Sequence, residues 1–109
     1  MPESRTVLAG ESESKLLDCI DKGLDVFGTS VKSVIYFRFK TIYNSERSEI
    51  PRKAELFSES LRFFFGERSF HVETAIVGSI VDSFHLTEVT YSDSLVRAIH
   101  EARKQLRSS

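Results

Sequence analysis

Pro51 and Gly66, two residues at which helices commonly begin or end, divide residues 29–86 into three segments, each with the apolar spacing of a helix. Proline disfavours helical geometry at the residue before it, so Ile50 should lie outside a helix that Pro51 can open. Gly66 suits the left-handed backbone conformation that ends many helices. Apolar residues recur at intervals of three and four around both stops. We therefore predict helices over residues 30–44, 52–65 and 69–84.

Two further helices are indicated on either side of this region. The first carries an apolar stripe with intervals of four, four and three residues, formed by Leu16, Ile20, Leu24 and Phe27, and Gly28 can end it. Ser92 can cap the last one, whose stripe consists of Leu95, Ile99, Ala102 and Leu106. The sequence thus predicts an all-α fold, a compact bundle of about five helices near residues 14–27, 30–44, 52–65, 69–84 and 92–106. The polar residues 1–13 are expected to form a flexible segment before a single helical domain at 14–109.

The segment 30–44 is apolar over most of its helical circumference, which is typical of a helix that is central to its domain or pressed against a partner. Its β-branched and aromatic residues also permit a strand at residues 33–39. We favour a helix because the apolar run is longer than an ordinary strand and does not alternate.

Phenylalanine should dominate the core, since the chain has nine Phe residues and no Trp. The central positions are predicted where the two best-defined helices meet across Gly66: Phe57, Leu61, Phe64, Ile76 and Ile80. Gly78 lies in the middle of a helix, where glycine is unfavourable, and so predicts a close helix crossing.

The pattern from 29 to 86 resembles a family of short archaeal helical domains of uncharacterised activity, some of them described as output modules of signalling proteins. The residues that carry the resemblance are Ser30-Val31-Lys32, Ile35-Tyr36, Glu49-Ile50-Pro51, Phe57, Leu61, Phe65-Gly66, Ile76, Ile80, Phe84 and Leu86. They cover about half of the chain and are mostly core and helix-ending residues. The resemblance implies an all-helical domain with a role in signal output and brings no catalytic residue; the helix after Thr87 lies outside it.

Residues that could perform chemistry do not form a recognisable constellation. His71 and His85 bracket one predicted helix about 20 Å long, so they cannot share a metal ion. Cys19 is the only cysteine, which excludes an internal disulfide, and it should line the buried face of the first helix. No phosphate-binding loop, nucleophile elbow or dinucleotide fingerprint occurs. We expect no catalytic, metal or cofactor site and therefore no enzyme.

Charge is segregated along the chain although the formal net charge is only −1. Residues 1–28 carry six acidic and three basic side chains, whereas residues 29–53 carry two acidic and six basic ones. The basic residues can offset the acidic first helix, or they can form a nucleic-acid-binding face on the second and fifth helices. The candidate contacts for nucleic acid are Arg38, Lys40, Arg47, Arg52, Lys53, Arg97, Arg103 and Lys104.

The second helix and the amphipathic last helix carry more apolar surface than a five-helix monomer needs, which favours a protein interface. The candidate interface residues are Tyr36, Tyr43, Leu95, Ile99 and Leu106. We predict a non-catalytic protein-interaction or regulatory domain whose partner is another protein or a second copy, with nucleic-acid binding as the alternative. No apolar run approaches the roughly 20 residues that span a bilayer, so no membrane partner is expected and a cytoplasmic location follows.

Overall fold

The computed structural model describes the backbone of residues 2–108 and the side chains of residues 13–107. Over residues 2–108 the chain is an all-α bundle of five helices without a strand, as the apolar spacing predicts. The helices are α1 (Pro2–Asp25), α2 (Thr29–Tyr43), α3 (Ala54–Phe65), α4 (Ser69–Phe84) and α5 (Leu95–Ser108). Two 3₁₀ helices, Arg47–Arg52 and Gly66–Arg68, precede α3 and α4.

The first two helices differ from the prediction at their ends. Helix α1 begins well before residue 14 and ends at Asp25, ahead of the predicted stop. Gly28 immediately precedes α2 and has a φ of 104°, a value that glycine adopts more readily than other residues. It therefore lies at the start of α2 as well as after the end of α1. The expected flexibility of residues 1–13 stays a prediction, because the side chains before Glu13 lie outside the described residues.

The connector before α3 is more ordered than its polar composition indicates. Its first turn has a reciprocal capping box, in which the Glu46 amide donates to the Glu49 carboxylate at 2.7 Å. At the other end of the chain, α5 begins at Leu95 and not at Ser92. The reason is local, since Ser94 Oγ accepts the hydrogen bond from the Arg97 amide at 3.1 Å and so performs the capping role.

Helix α1 packs along α4, and the two helices come very close at Gly23. A Cβ on Gly23 would stand 2.6 Å from the Cα of Ile76, closer than packed atoms allow. The crossing that we predicted at Gly78 is wrong, since the nearest atom to a Cβ there is Tyr91 Cδ1 at 4.0 Å. Gly78 faces the loop before α5, and the small residue that the crossing needs is on α1.

The core is mostly aliphatic, so the predicted dominance of phenylalanine is wrong, although an aromatic pair lies within it. Phe39 of α2 and Phe57 of α3 are fully buried and pack edge to face, with ring centroids 5.4 Å apart. Four of the five predicted central residues are fully buried: Phe57, Leu61, Ile76 and Ile80. Phe64 is the exception, because at the last turn of α3 it is half-buried and lies beside Phe63, which is exposed.

Candidate interaction surface

Helix α2 is apolar on two opposite faces. Ile35 and Phe39 point into the core and are 1% and 0% exposed. Val34 and Phe37 lie on the outer side and are 53% and 64% exposed. Burying a large apolar side chain stabilises a protein by about 1.5–3 kcal/mol, so two such side chains left in water on one helix face form a candidate binding surface.

The outer face of α2 continues into an apolar groove of about 340 Å³. We call it the α2–α3 groove, and its lining residues are Ser30, Val31, Val34, Ile35, Arg38, Phe64 and Phe65. The Arg38 guanidinium lies 5.6 Å from the centroid of the Phe64 ring, within the range of a cation–π contact. The groove therefore combines an apolar floor with one cation that is held at its edge.

The two tyrosines predicted as interface residues lie on the inner side of α2. The Tyr36 hydroxyl donates a hydrogen bond to Asp21 Oδ1 at 2.5 Å. The ring of Tyr43 is half-buried against Phe39, with centroids 6.1 Å apart. Both side chains are used within the bundle, and Val34 and Phe37 occupy the exposed positions instead.

Asp21 and Arg47 complete a polar cluster with Tyr36. Arg47 donates to both carboxylate oxygens of Asp21, from Nη2 at 2.6 Å and from Nε at 3.2 Å. Partial burial opposes the charge of Asp21, but the hydrogen bonds from Arg47 and Tyr36 outweigh it and lower the pKa of Asp21. Burial and the Asp21 hydrogen bond raise the pKa of Tyr36, so this phenol stays protonated. The cluster ties α1, α2 and the 3₁₀ helix together.

The prediction that α5 pairs across a dimer through Leu95 and Ile99 is wrong. These side chains are 1% and 0% exposed because the apolar stripe of α5 closes the bundle against α3 and α4. Leu106 is half-buried and packs against the same core. The apolar face of α5 is thus used within the chain itself.

The basic residues of the segment from α2 to α3 are largely engaged with acidic groups. Lys32 Nζ lies 2.8 Å from Asp25, Lys40 Nζ lies 3.6 Å from Glu46, and Lys53 Nζ lies 3.0 Å from Glu49. Arg47 holds Asp21, as described above. Arg52 is exposed. The excess of positive charge in this part of the sequence therefore serves mostly to balance acidic side chains of α1 and of the connector.

The basic residues of α5 fall into two groups. His100, Arg103, Lys104 and Arg107 line a shallow cleft of about 220 Å³ along one side of the helix. Within it Arg103 donates to the Pro51 carbonyl at 3.1 Å, which brings it beside the 3₁₀ helix that carries Arg52. Arg97 lies apart, since it donates to the Glu88 carbonyl at 3.0 Å. Arg103 thus reaches the connector that carries Arg47 and Arg52, and Arg97 does not.

One buried polar side chain at a helix contact has a charged partner. Ser58 is buried between α3 and α4 and donates to the Glu73 carboxylate at 2.7 Å. Cys19 is 3% exposed, which confirms its expected place on the buried face of α1. Among the side chains of residues 13–107, no three His, Cys, Asp or Glu groups converge as ligands of one metal ion would.

A local signal could have identified Val34 and Phe37. The residues Val31, Ile35 and Phe39 are spaced by four and define one face, and all three are at least half-buried. Val34 and Phe37 are three residues apart and fall away from that face, so they form a separate apolar pair. The contribution of Phe64 to the groove has no such signal, because it depends on how α3 lies against α2.

Within the described part of the chain, none of the helices combines the length and the apolar character that crossing a membrane requires. Comparison with known proteins gives no match to this chain among protein-family models, curated proteins or solved structures.

Proposed function

We propose that this chain is a non-catalytic protein-interaction domain of the regulatory, signal-output kind, which binds a protein partner through the outer face of α2 and the α2–α3 groove beside it. The observation that carries the proposal is the outer face of α2, where Val34 and Phe37 are exposed, together with the adjoining α2–α3 groove, which Arg38 and the half-buried Phe64 line. The signal-output role is supported by the resemblance of residues 29–86 to archaeal output domains. We place the domain in the cytoplasm as part of the same proposal.

The chemistry of the groove suits a protein partner. Hot spots in protein interfaces are rich in aromatic residues and Arg, and they lie in pockets from which water is excluded on binding. Phe37, on the outer face of α2 beside the groove, would add apolar area to the contact, because it is 64% exposed before binding. Arg38 is already held on the Phe64 ring, so less side-chain freedom would be lost when a partner covers it.

Site-specific photo-cross-linking tests this function. A benzophenone-bearing phenylalanine analogue is placed at position 37 in one protein and at position 70 in a control, since Phe70 is similarly exposed at 60% but lies on α4. Each protein is irradiated alone and in an extract of the source cells, with an excess of unlabelled competitor. We expect a protein adduct from position 37 that wild-type competitor removes and the Phe37→Asp competitor does not. Absence of an adduct at position 37, or the same adducts from both positions, would contradict the proposal.

Nucleic-acid binding is the second candidate, and the cleft formed by His100, Arg103, Lys104 and Arg107 favours it. Contacts to phosphate weaken steeply as salt concentration rises. If this candidate is correct, fluorescence anisotropy should show duplex binding that falls with salt and is reduced by Arg107→Ala but unchanged by Phe37→Asp. Equal binding by all three proteins, or none, would count against it.

A further inference from the structure

The exposed side of α2 has the spacing of a helix-pairing seam. Ser30, Val34, Phe37 and Thr41 follow one another at intervals of four, three and four residues, and all four are exposed. Residues at intervals of three and four lie along one line of a helix. Two long helices that pair use such a line of residues as their contact. We call these four residues the α2 seam. Its apolar members are central, and its small hydroxyl residues are at the two ends.

We propose that two copies of this chain associate through the α2 seam, with their α2 helices antiparallel. This inference rests on the proposed function and names a second copy as the partner of the outer face of α2. A two-fold axis between positions 35 and 36 sets Val34 of each copy opposite Phe37 of the other. The same patch thereby serves on both sides, as a two-fold symmetric interface requires.

The charges of α2 decide the orientation. The helix carries Lys32, Arg38 and Lys40 and no acidic residue. A parallel pair would gather the Arg38 and Lys40 side chains of both copies at one end, where they would repel one another. In the antiparallel pair Arg38 flanks Val31 of the other copy, and Lys40 flanks Ser33 of the other copy. Antiparallel helix dipoles also attract.

The size of the contact indicates a reversible dimer. Helix α2 has 15 residues and is therefore about 22 Å long. The antiparallel arrangement brings the end of each α2, where Ile42 is 47% exposed, to the start of the other. A contact formed by one helix face of this length is small beside a specific interface of standard size, so the dimer should depend on concentration.

Sedimentation velocity over a dilution series up to about 1 mM protein tests the association. We expect the wild-type chain to form a dimer reversibly, and Phe37→Asp to raise the dimer dissociation constant at least about tenfold, because it places a charge in the seam. Phe70→Asp is the matched control and should dimerise like the wild type. Thermal unfolding of both variants shows that they are folded. A monomeric wild type, or equal effects of the two substitutions, would overturn the inference.

Disulfide trapping tests the orientation. Ser33→Cys and Lys40→Cys alter exposed flanking positions, and the native Cys19 is buried. A mixture of the two variants should yield mainly the heterodisulfide under mild oxidation, because the antiparallel pair sets position 33 beside position 40. If the fraction of heterodisulfide is no higher than random pairing of the two variants gives, the antiparallel arrangement is overturned.

The outcomes separate this inference from the function on which it rests. If the wild type is monomeric while photo-cross-linking at position 37 gives a competed adduct with a different protein, the second copy is excluded and the protein-interaction function stands. If the chain is monomeric and position 37 gives no adduct, both proposals fail.

Discussion

Asp21 connects three parts of the chain through a single carboxylate. Tyr36 reaches it from α2 and Arg47 reaches it from the connector, so their hydrogen bonds fix the position of both elements against α1. The carboxylate side chain keeps 23% of its exposure, so solvent screens part of the attraction. Such a cluster contributes to the fold mainly by specifying which helix faces meet.

We expect the Asp21→Asn variant to be less stable than the wild type at neutral pH, by about 1.5 kcal/mol, the lower end of the range for hydrogen bonds to charged groups. The folded state lowers the pKa of Asp21 below its ordinary value of 3.8, so this stabilisation is complete above about pH 4. It is lost as the pH falls through the lowered pKa, because the unfolded chain then binds the proton more readily. Urea unfolding between pH 3 and pH 7 measures it.

The control for this prediction is Asp18→Asn. Asp18 also lies near Arg47, at 3.7 Å, but its side chain is 74% exposed. Its loss should cost less than about 0.5 kcal/mol, as is usual for an exposed ion pair. If Asp21→Asn shows the same acid dependence as the wild type, the cluster does not contribute in the way described.

At the scale of elements, the bundle depends on the contact between α1 and α4. Gly23 allows this approach because any side chain there would meet the backbone of Ile76. Leu16, Ile20 and Leu24 on the same helix are fully buried. Close packing over this length explains why a helix near the start of the sequence lies at the centre of the fold.

Two glycine substitutions should act in opposite directions. Gly23→Ala puts a Cβ 2.6 Å from Ile76 Cα, so the helices must separate, and we expect a loss of about 1–3 kcal/mol. Gly78→Ala meets Tyr91 Cδ1 at 4.0 Å, an ordinary contact, and should gain up to about 1 kcal/mol from helix propensity. Thermal unfolding of both variants checks the pair, and a stabilised Gly23→Ala would show that α1 and α4 are less closely packed.

At the scale of the whole molecule, α5 completes the core. Leu95, Ala98, Ile99 and Ala102 are at most 1% exposed, and they belong to the same apolar cluster as α1, α3 and α4. A fold limited to residues 29–86 would leave the opposing surface uncovered. We therefore regard α5 as part of one cooperative unit.

The Ile99→Asp variant tests this unity. A charge at a fully buried position cannot be hydrated, so we expect the chain to lose its cooperative thermal transition. The control is His100→Asp on the next, exposed position, which should stay within about 0.5 kcal/mol of the wild type. A folded Ile99→Asp monomer would instead restore α5 as an interface helix.

The sequence by itself determined the helices, because apolar spacing and helix-ending residues act locally. It predicted 69–84 at the observed bounds of α4, and it identified Phe57, Leu61, Ile76 and Ile80 as core. It also indicated that α2 has more apolar residues than the core uses, but Tyr36 and Tyr43, which it assigned to an interface, pack within the bundle.

Only the tertiary structure decided which apolar face meets which. Periodicity shows that a face exists but not what covers it, and the covering residues are distant in sequence. For this reason Ile99 could be mistaken for an interface residue, and Phe64 for a core one. The same reason hid the α2–α3 groove, since Phe64 joins Val34 there only after α3 has packed beside α2.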